Sequence, residues 1–292
     1  MPEGAVFPTV ATIEKGEYKP LSRPLFIYVN KASLQKPAVV EYVRYYLSDE
    51  GQALVPEVGY VKLNAQQIAE TRQRFDQALQ SAGVTAAAGP VEGEVQTDGS
   101  STVAPISSAV TEAFAGINRK VRAPVGTSGT GGGFKALYGG KIDICDASRP
   151  IKPAEVEACS AAKIEYVELM IAIDGLTVVV NKANDWVAGM TVAQLKRLWE
   201  PDSKVTKWSD LDPKWPNEPI KLFGAGTDSG TFDYFTEVIV GEAKKSRADY
   251  QASENDNILV TGVEGEKYAL GYFGFAYYVE AHNQLKALAI AP

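Results

Sequence analysis

The stretch GTSGTGGGFKALYGGKIDICDASRP, residues 126–150, decides how this chain reads. Its first part sets two hydroxyls, Ser128 and Thr130, in a glycine-rich turn ahead of a helical pattern that begins near Phe134. Its second part, Lys141–Ile144, is a short strand leading into Asp146, Ser148 and Arg149. Glycines at 129 and 131–133 let backbone N–H groups approach a ligand closely. A helix start adds unpaired donors and a partial positive charge. Amide donors, hydroxyls, one guanidinium and a neighbouring carboxylate suit a compact tetrahedral oxyanion. A plain surface loop is the alternative.

Outward from this stretch, the same strand, hydroxyl turn and helix recur twice. VQTDGSSTVAP (95–105) carries Ser101 and Thr102 and leads into a helix marked by Ile106, Val110 and Phe114. IKLF (220–223) leads through GAGTDSG to a helix over Thr231–Val240, with Ser229, Gly230 and Thr231 at the turn. Each hydroxyl could simply cap its own helix. Yet three such turns, each at the carboxyl end of a strand, lie where open α/β sheets bind ligands.

The remaining pattern supplies the scaffold. PLFIYV (24–29) reads as a strand buried on both faces, and LTVVVN (176–181) as another, preceded by a strand over Ile164–Ile173. Val39, Val40, Val43, Tyr46 and Leu47 form a helical stripe, with Gly51 as its stop. Further helices fit Ala65–Leu79, 153–162 and Thr191–Trp199, and a polar turn and helix fit Ser253–Gly262. GYFGFAYY (271–278) and LKALAIA (285–291) read as strands. This alternation predicts an α/β architecture with largely parallel sheets. Residues 80–94, small and polar, read as a linker.

Composition narrows the function. The 292 residues, 45% hydrophobic and 22% charged, suffice for two lobes. No apolar run reaches the ~18 residues of a membrane span, and MPEGAVFPTV is not a signal peptide. A net charge of −7 argues against nucleic acid as a partner. One histidine, His282, and two cysteines without CxxC or HExxH spacing argue against a metal, and no cofactor is expected. Cys145 and Cys159 could close a disulfide loop worth about 3 kcal/mol, or be two free buried thiols. Lys135 precedes Ala136, so there is no P-loop, and Gly224, Gly226 and Gly230 miss the dinucleotide spacing by one residue. A serine hydrolase lacks its base, so no catalytic residue is assigned and no enzyme is expected.

At this point VQTDGSSTVAPI, GTSGTGGGF, DICDASRPI, GAGTDSGTFDYF, ALGYFGFAYY and RPLFIYV together resemble a family. It is the periplasmic phosphate-binding proteins of bacterial phosphate ABC importers, above all their cyanobacterial-type branch, and the resemblance covers nearly the whole chain. It implies a two-lobed periplasmic-binding-protein fold, type II-like, hinged on two crossing strands at PLFIYV and LTVVVN. Lobe one would be residues 24–180, and lobe two residues 1–23 with 181–292. It implies a monomeric periplasmic receptor that delivers inorganic phosphate to a membrane permease. The order departs from the family: a member would begin near Val95 and end near Leu79. We therefore expect a circular permutant, an engineered one, with residues 80–94 as the join.

The resemblance also implies roles. Ser101, Thr102, Ser128, Thr130, Ser148 and Arg149 would hold phosphate from the first lobe, and Ser229, Gly230 and Thr231 from the second. Some relatives place an arginine where Ala225 stands, which leaves Arg149 to carry the charge. Asp146 would accept the proton that phosphate carries and sulfate lacks, with Asp98 and Asp228 as rivals. Another tetrahedral oxyanion (sulfate, molybdate or tungstate) is the alternative ligand, and a phosphatase the more distant one.

Overall fold

A computed structural model describes residues 1–84, 91–227 and 229–292. Part of the expected linker, residues 85–90, and Asp228 lie outside the described residues. A short helix, α1 (Val10–Glu14), precedes the first strand, β1 (Ser22–Asn30). Then follow α2 (Pro37–Tyr46), α3 (Asp49–Glu57), α4 (Ala65–Ser81), β2 (Gly93–Glu94), β3 (Thr97–Gly99) and α5 (Ala104–Ile117). Next come β4 (Val121–Arg122), α6 (Thr130–Tyr138), β5 (Ile144–Ala147), α7 (Pro153–Ala161) and β6 (Tyr166–Asn181). The chain continues with β7 (Gly189–Thr191), α8 (Val192–Trp199), α9 (Trp208–Leu211), β8 (Lys221–Ala225) and α10 (Gly230–Phe235). It closes with β9 (Gln251–Ser253), α11 (Asp256–Gly265), β10 (Ala269–Gly274), α12 (Phe275–Ala281), β11 (Leu285–Ala287) and β12 (Ala289–Ala291).

Two compact units emerge. Unit 1 is Met1–Arg23, Gly59–Val61 and Asp174–Pro292; unit 2 is Pro24–Val58 and Lys62–Ile173. Apart from the brief return at Gly59–Val61, the chain changes unit inside β1 and inside β6. The second change falls between Ile173 and Asp174, in the strand where the expected boundary stood at residue 180.

In unit 2 the strands run in the order β3, β5, β1, β6. β3 and β5 are parallel, with Gly99 opposite Asp146, and β1 joins β5 antiparallel. Strand alternation sorts the faces. Cys145 and Ala147 of β5 pack with Phe26, Tyr28, Phe134 and Leu137 beneath α6. Asp146 points the other way, toward Ser107 of α5. There Tyr42 of α2 meets Tyr46 and Phe114 edge to face. α6 can lie close on β3 only because Gly133 has no side chain. A Cβ there would meet the Gly99 Cα at 2.7 Å and Cys145 Sγ at 2.8 Å.

In unit 1 the order is β6, β10, β8, β9. β10 lies antiparallel to β6 and parallel to β8, and β8 is parallel to β9. α11 covers these strands through Leu259 and Val263, which pack with Phe223 and Phe273. Phe235 stacks flat on Tyr272 at 3.7 Å. Near the chain ends, Val6 and Ile290 form an antiparallel bridge, and β12 pairs with β7.

The α/β class is as expected, but several details are corrected. The sheets are mixed rather than largely parallel, because β1 runs against β5 and β6 against β10. Gly51 does not stop α2. It lies in the first turn of α3, capped by Ser48, where a Cβ would sit 2.1 Å from the Tyr45 carbonyl oxygen. GYFGFAYY is strand only to Gly274; its aromatic second half is α12, with Tyr277 and Tyr278 laid against the core. β5 begins at Ile144, not Lys141, and α6 starts at Thr130 rather than near Phe134.

Two substitutions test the α6 seat. Gly133→Ala is expected to cost about 1–3 kcal/mol by overpacking. Gly131→Ala, with nothing within 4 Å of its new Cβ, should instead gain a few tenths or more, roughly 0.5–1 kcal/mol. Urea unfolding of both variants decides; equal effects would mean that α6 does not rest on Gly133.

Candidate functional site

The candidate site of unit 2 is built on the end of β3. Gly99 has φ +146°, and a Cβ there would stand 2.2 Å from the Asp146 carbonyl oxygen, so only glycine fits. Ser100 N–H donates to that same oxygen at 2.9 Å. The Gly99 carbonyl accepts Gly129 N–H at 2.7 Å. The turn ahead of α5 and the turn ahead of α6 are thereby tied to one point. Neither helix has a side-chain cap at its start.

Around that point the structure brings together most of the residues expected in the first lobe. Ser101 and Thr102 form the turn into α5; Thr102 is buried, and its N–H donates to Ser100 Oγ at 3.2 Å. Ser128 lies exposed in the second turn. Thr130, the first residue of α6, meets Ser148, just past β5: their hydroxyls are 3.1 Å apart, and Ser148 N–H donates to Thr130 Oγ1 at 3.2 Å. Asp98 was weighed only as a rival carboxylate, yet it holds the turn. Its Oδ1 accepts Gly99 N–H at 2.8 Å and Ser128 N–H at 2.9 Å.

Arg149 is held by a partner that no local pattern signals. Its two Nη atoms form a fork on Glu155, at 2.8 and 2.7 Å, and Nη1 also donates to the Pro150 carbonyl. Phe134 lies beneath the guanidinium at 5.6 Å. Burial pushes the Glu155 carboxyl up, but bonds from Arg149 and from Lys152 N–H outweigh it and hold the group below its ordinary range. The charge of Arg149 is therefore shared with a fixed carboxylate.

Asp146 is fully buried, and neither carboxyl oxygen has a partner at hydrogen-bonding geometry. Burial raises its pKa to about 8; the nearby Ser107 hydroxyl offsets this weakly, and Asp98 adds to the rise. At neutral pH it is largely protonated, on the α5 side of the sheet. Of the two readings of the cysteines, the structure has the free thiols. Cys145 and Cys159 are both free and buried. Cys145 points into the layer beneath α6, packed near Gly133, while Cys159 lies on α7. Burial raises both thiols.

In unit 1, Ser229 is the cap of α10: its Oγ accepts Thr231 N–H at 3.1 Å. Ser229, Gly230 and Thr231 are half-buried. Gly226 is confined by Glu254, whose carboxylate fills the space of a side chain there. Among the described residues no group of three or more His, Cys, Asp or Glu is placed to hold a metal ion.

A family model for the PBP superfamily domain matches residues 84–290. Protein SphX of Synechocystis is 50% identical over 198 residues, 67% of this chain and 59% of that protein. The phosphate-binding protein PstS of Staphylococcus saprophyticus is 40% identical over 210 residues, 71% of this chain and 64% of its own length. The matched stretch thus spans less than two thirds of these relatives. A crystal structure described as a possible phosphate binding protein from Planctomyces limnophilus is 57% identical with a TM-score of 0.65, covering 68% of this chain and 70% of that one. By sequence and fold alike, the chain belongs to the PBP superfamily.

Proposed function

We propose that the chain binds inorganic phosphate, as the receptor of a phosphate importer outside the cytoplasm, and that it hands the anion to a membrane permease rather than transforming it. The observation that carries this reading is the convergence on Gly99 of two uncapped helix starts with Ser101, Thr102, Ser128, Thr130 and Ser148. Helix starts and hydroxyls can replace the hydration shell of a dianion. The relatives named for phosphate binding point the same way. Ser229, Gly230 and Thr231 are proposed as further donors from unit 1. Arg149 would act as a cation held in place by Glu155. Among the described residues no helix is long and apolar enough to cross a membrane.

Asp98, not Asp146, is the carboxylate we assign to reading the phosphate proton. It stands at the Ser128 N–H within the donor turn, whereas Asp146 is closed away and already protonated. The circular order is also proposed. Residues 1–83 fall outside the family match, yet β1, α2, α3 and α4 lie in unit 2 beside the matched elements. Near the two chain ends, Val6 and Ile290 exchange both backbone hydrogen bonds at 2.9 Å.

Titration calorimetry with phosphate should give saturable heat, and Thr130→Ala should weaken it about tenfold, the worth of one charge-assisted bond. Equal heat from sulfate or molybdate would move the assignment to another oxyanion, and no heat would end it. Asp98→Asn should narrow the preference for phosphate over sulfate.

The buried acid gives a separate test of stability. Its pKa is raised in the fold, so the stabilisation from binding that proton is complete below pH 4 and is lost as pH climbs toward about 8. Relative to Asp146→Asn, the wild type should lose about 1.4 kcal/mol per pH unit across that window. A flat difference in urea unfolding from pH 4 to 8 would show that the group ionises freely. Finally, a chain recut to run from Val91 to Pro292, then on from Pro2 to Ala82, should fold and bind phosphate as the present one does. Loss of folding would count against the circular order.

A further inference from the structure

We propose that Arg23 is the charged contact to phosphate in unit 1, acting with the Ser229–Thr231 turn; this rests on the phosphate reading above. The turn itself offers only hydroxyls and N–H groups, and Ala225 at the end of β8 brings no charge. Arg23 lies flat on Tyr234, its guanidinium carbon 3.6 Å from the ring centroid. Its Nε donates to Asp174 Oδ2 at 3.2 Å, and its side chain is 14% exposed. The Tyr234 hydroxyl donates to the Pro20 carbonyl at 2.6 Å, which fixes the ring beneath it.

Helix geometry relates this stack to the donor turn. An aromatic side chain on a helix leans back over the residues three and four positions earlier. For Tyr234 these are Thr231 and Gly230, the first residues of α10. The guanidinium thus packs on a ring of the helix that this turn opens. Its field reaches α10, since it lowers the pKa of both Asp233 and Tyr234 against the upward push of burial. The group is also suited to the task. A guanidinium presents five donors in a planar fork that matches phosphate oxygens, and stacking with an ion pair orders it before the ligand arrives. A lysine would bring charge without the fork.

The test is calorimetry with inorganic phosphate on the full chain, for the wild type, Arg23→Gln and Arg23→Lys, at low and moderate salt, with thermal melting as the check on folding. Arg23→Gln is expected to weaken binding about 30-fold or more, and Arg23→Lys to recover part of that. The fall in affinity with added salt should be shallower in Arg23→Gln and restored in Arg23→Lys, a response that a purely structural arginine would not give. If the wild type binds and a folded Arg23→Gln binds within about twofold of it, the proposal is overturned while the phosphate reading stands. If Arg23→Gln does not fold, Arg23→Lys decides: undiminished affinity overturns the fork contact, and a clear loss in a folded protein supports it. A wild type that gives no heat with phosphate removes both readings.

Discussion

At Gly99 two strands approach more closely than any side chain would allow, and the donor cluster depends on that approach. The Asp146 carbonyl occupies the space of the absent Cβ and accepts Ser100 N–H, while the Gly99 carbonyl takes Gly129 N–H. Two helices that begin in separate parts of the chain are thereby started at one place. Gly133 repeats the device one layer away, letting α6 rest directly on β3. The site is thus made of backbone proximity first and of hydroxyls second.

Much of this was legible because it is local. A glycine-rich turn followed by an apolar stripe declares a helix start wherever it occurs, so Ser128, Thr130, Ser148 and Ser229 could be named from short windows. The α/β class followed from the alternation of strand and helix signals. What local pattern could not supply is pairing at a distance. Arg23 and Asp174 are separated by 151 positions, and nothing near either residue announces the other. The Glu155 fork was hidden for a different reason: its carboxylate also accepts Lys152 N–H, the signature of an ordinary helix start. Asp146 faces α5 because a strand's alternation, not its nearness to Ser148, sets where a side chain points. In GYFGFAYY, aromatic residues suit strand and buried helix equally, and Gly274, whose N–H donates to Asp256, marks the change.

Both arginines of interest share one arrangement: a carboxylate on an edge and an aromatic ring beneath the plane. Arg149 has Glu155 and Phe134; Arg23 has Asp174 and Tyr234. Such pairing lowers the net charge offered to an anion and fixes the direction of the donors. It also answers a question of cost, because an unpaired guanidinium this far from water would be expensive to keep. The proposed anion site therefore needs no broad basic surface in an acidic protein of net charge −7.

The two thiols carry a practical consequence. Cys145 and Cys159 are both buried, and burial keeps each in the unreactive thiol form. A third cysteine, placed on the surface at a position such as Ile258, which is 60% exposed, would meet a maleimide dye with no competition from the native pair. The molecule can thus carry a single optical reporter at a chosen point while both of its own sulfurs stay in place.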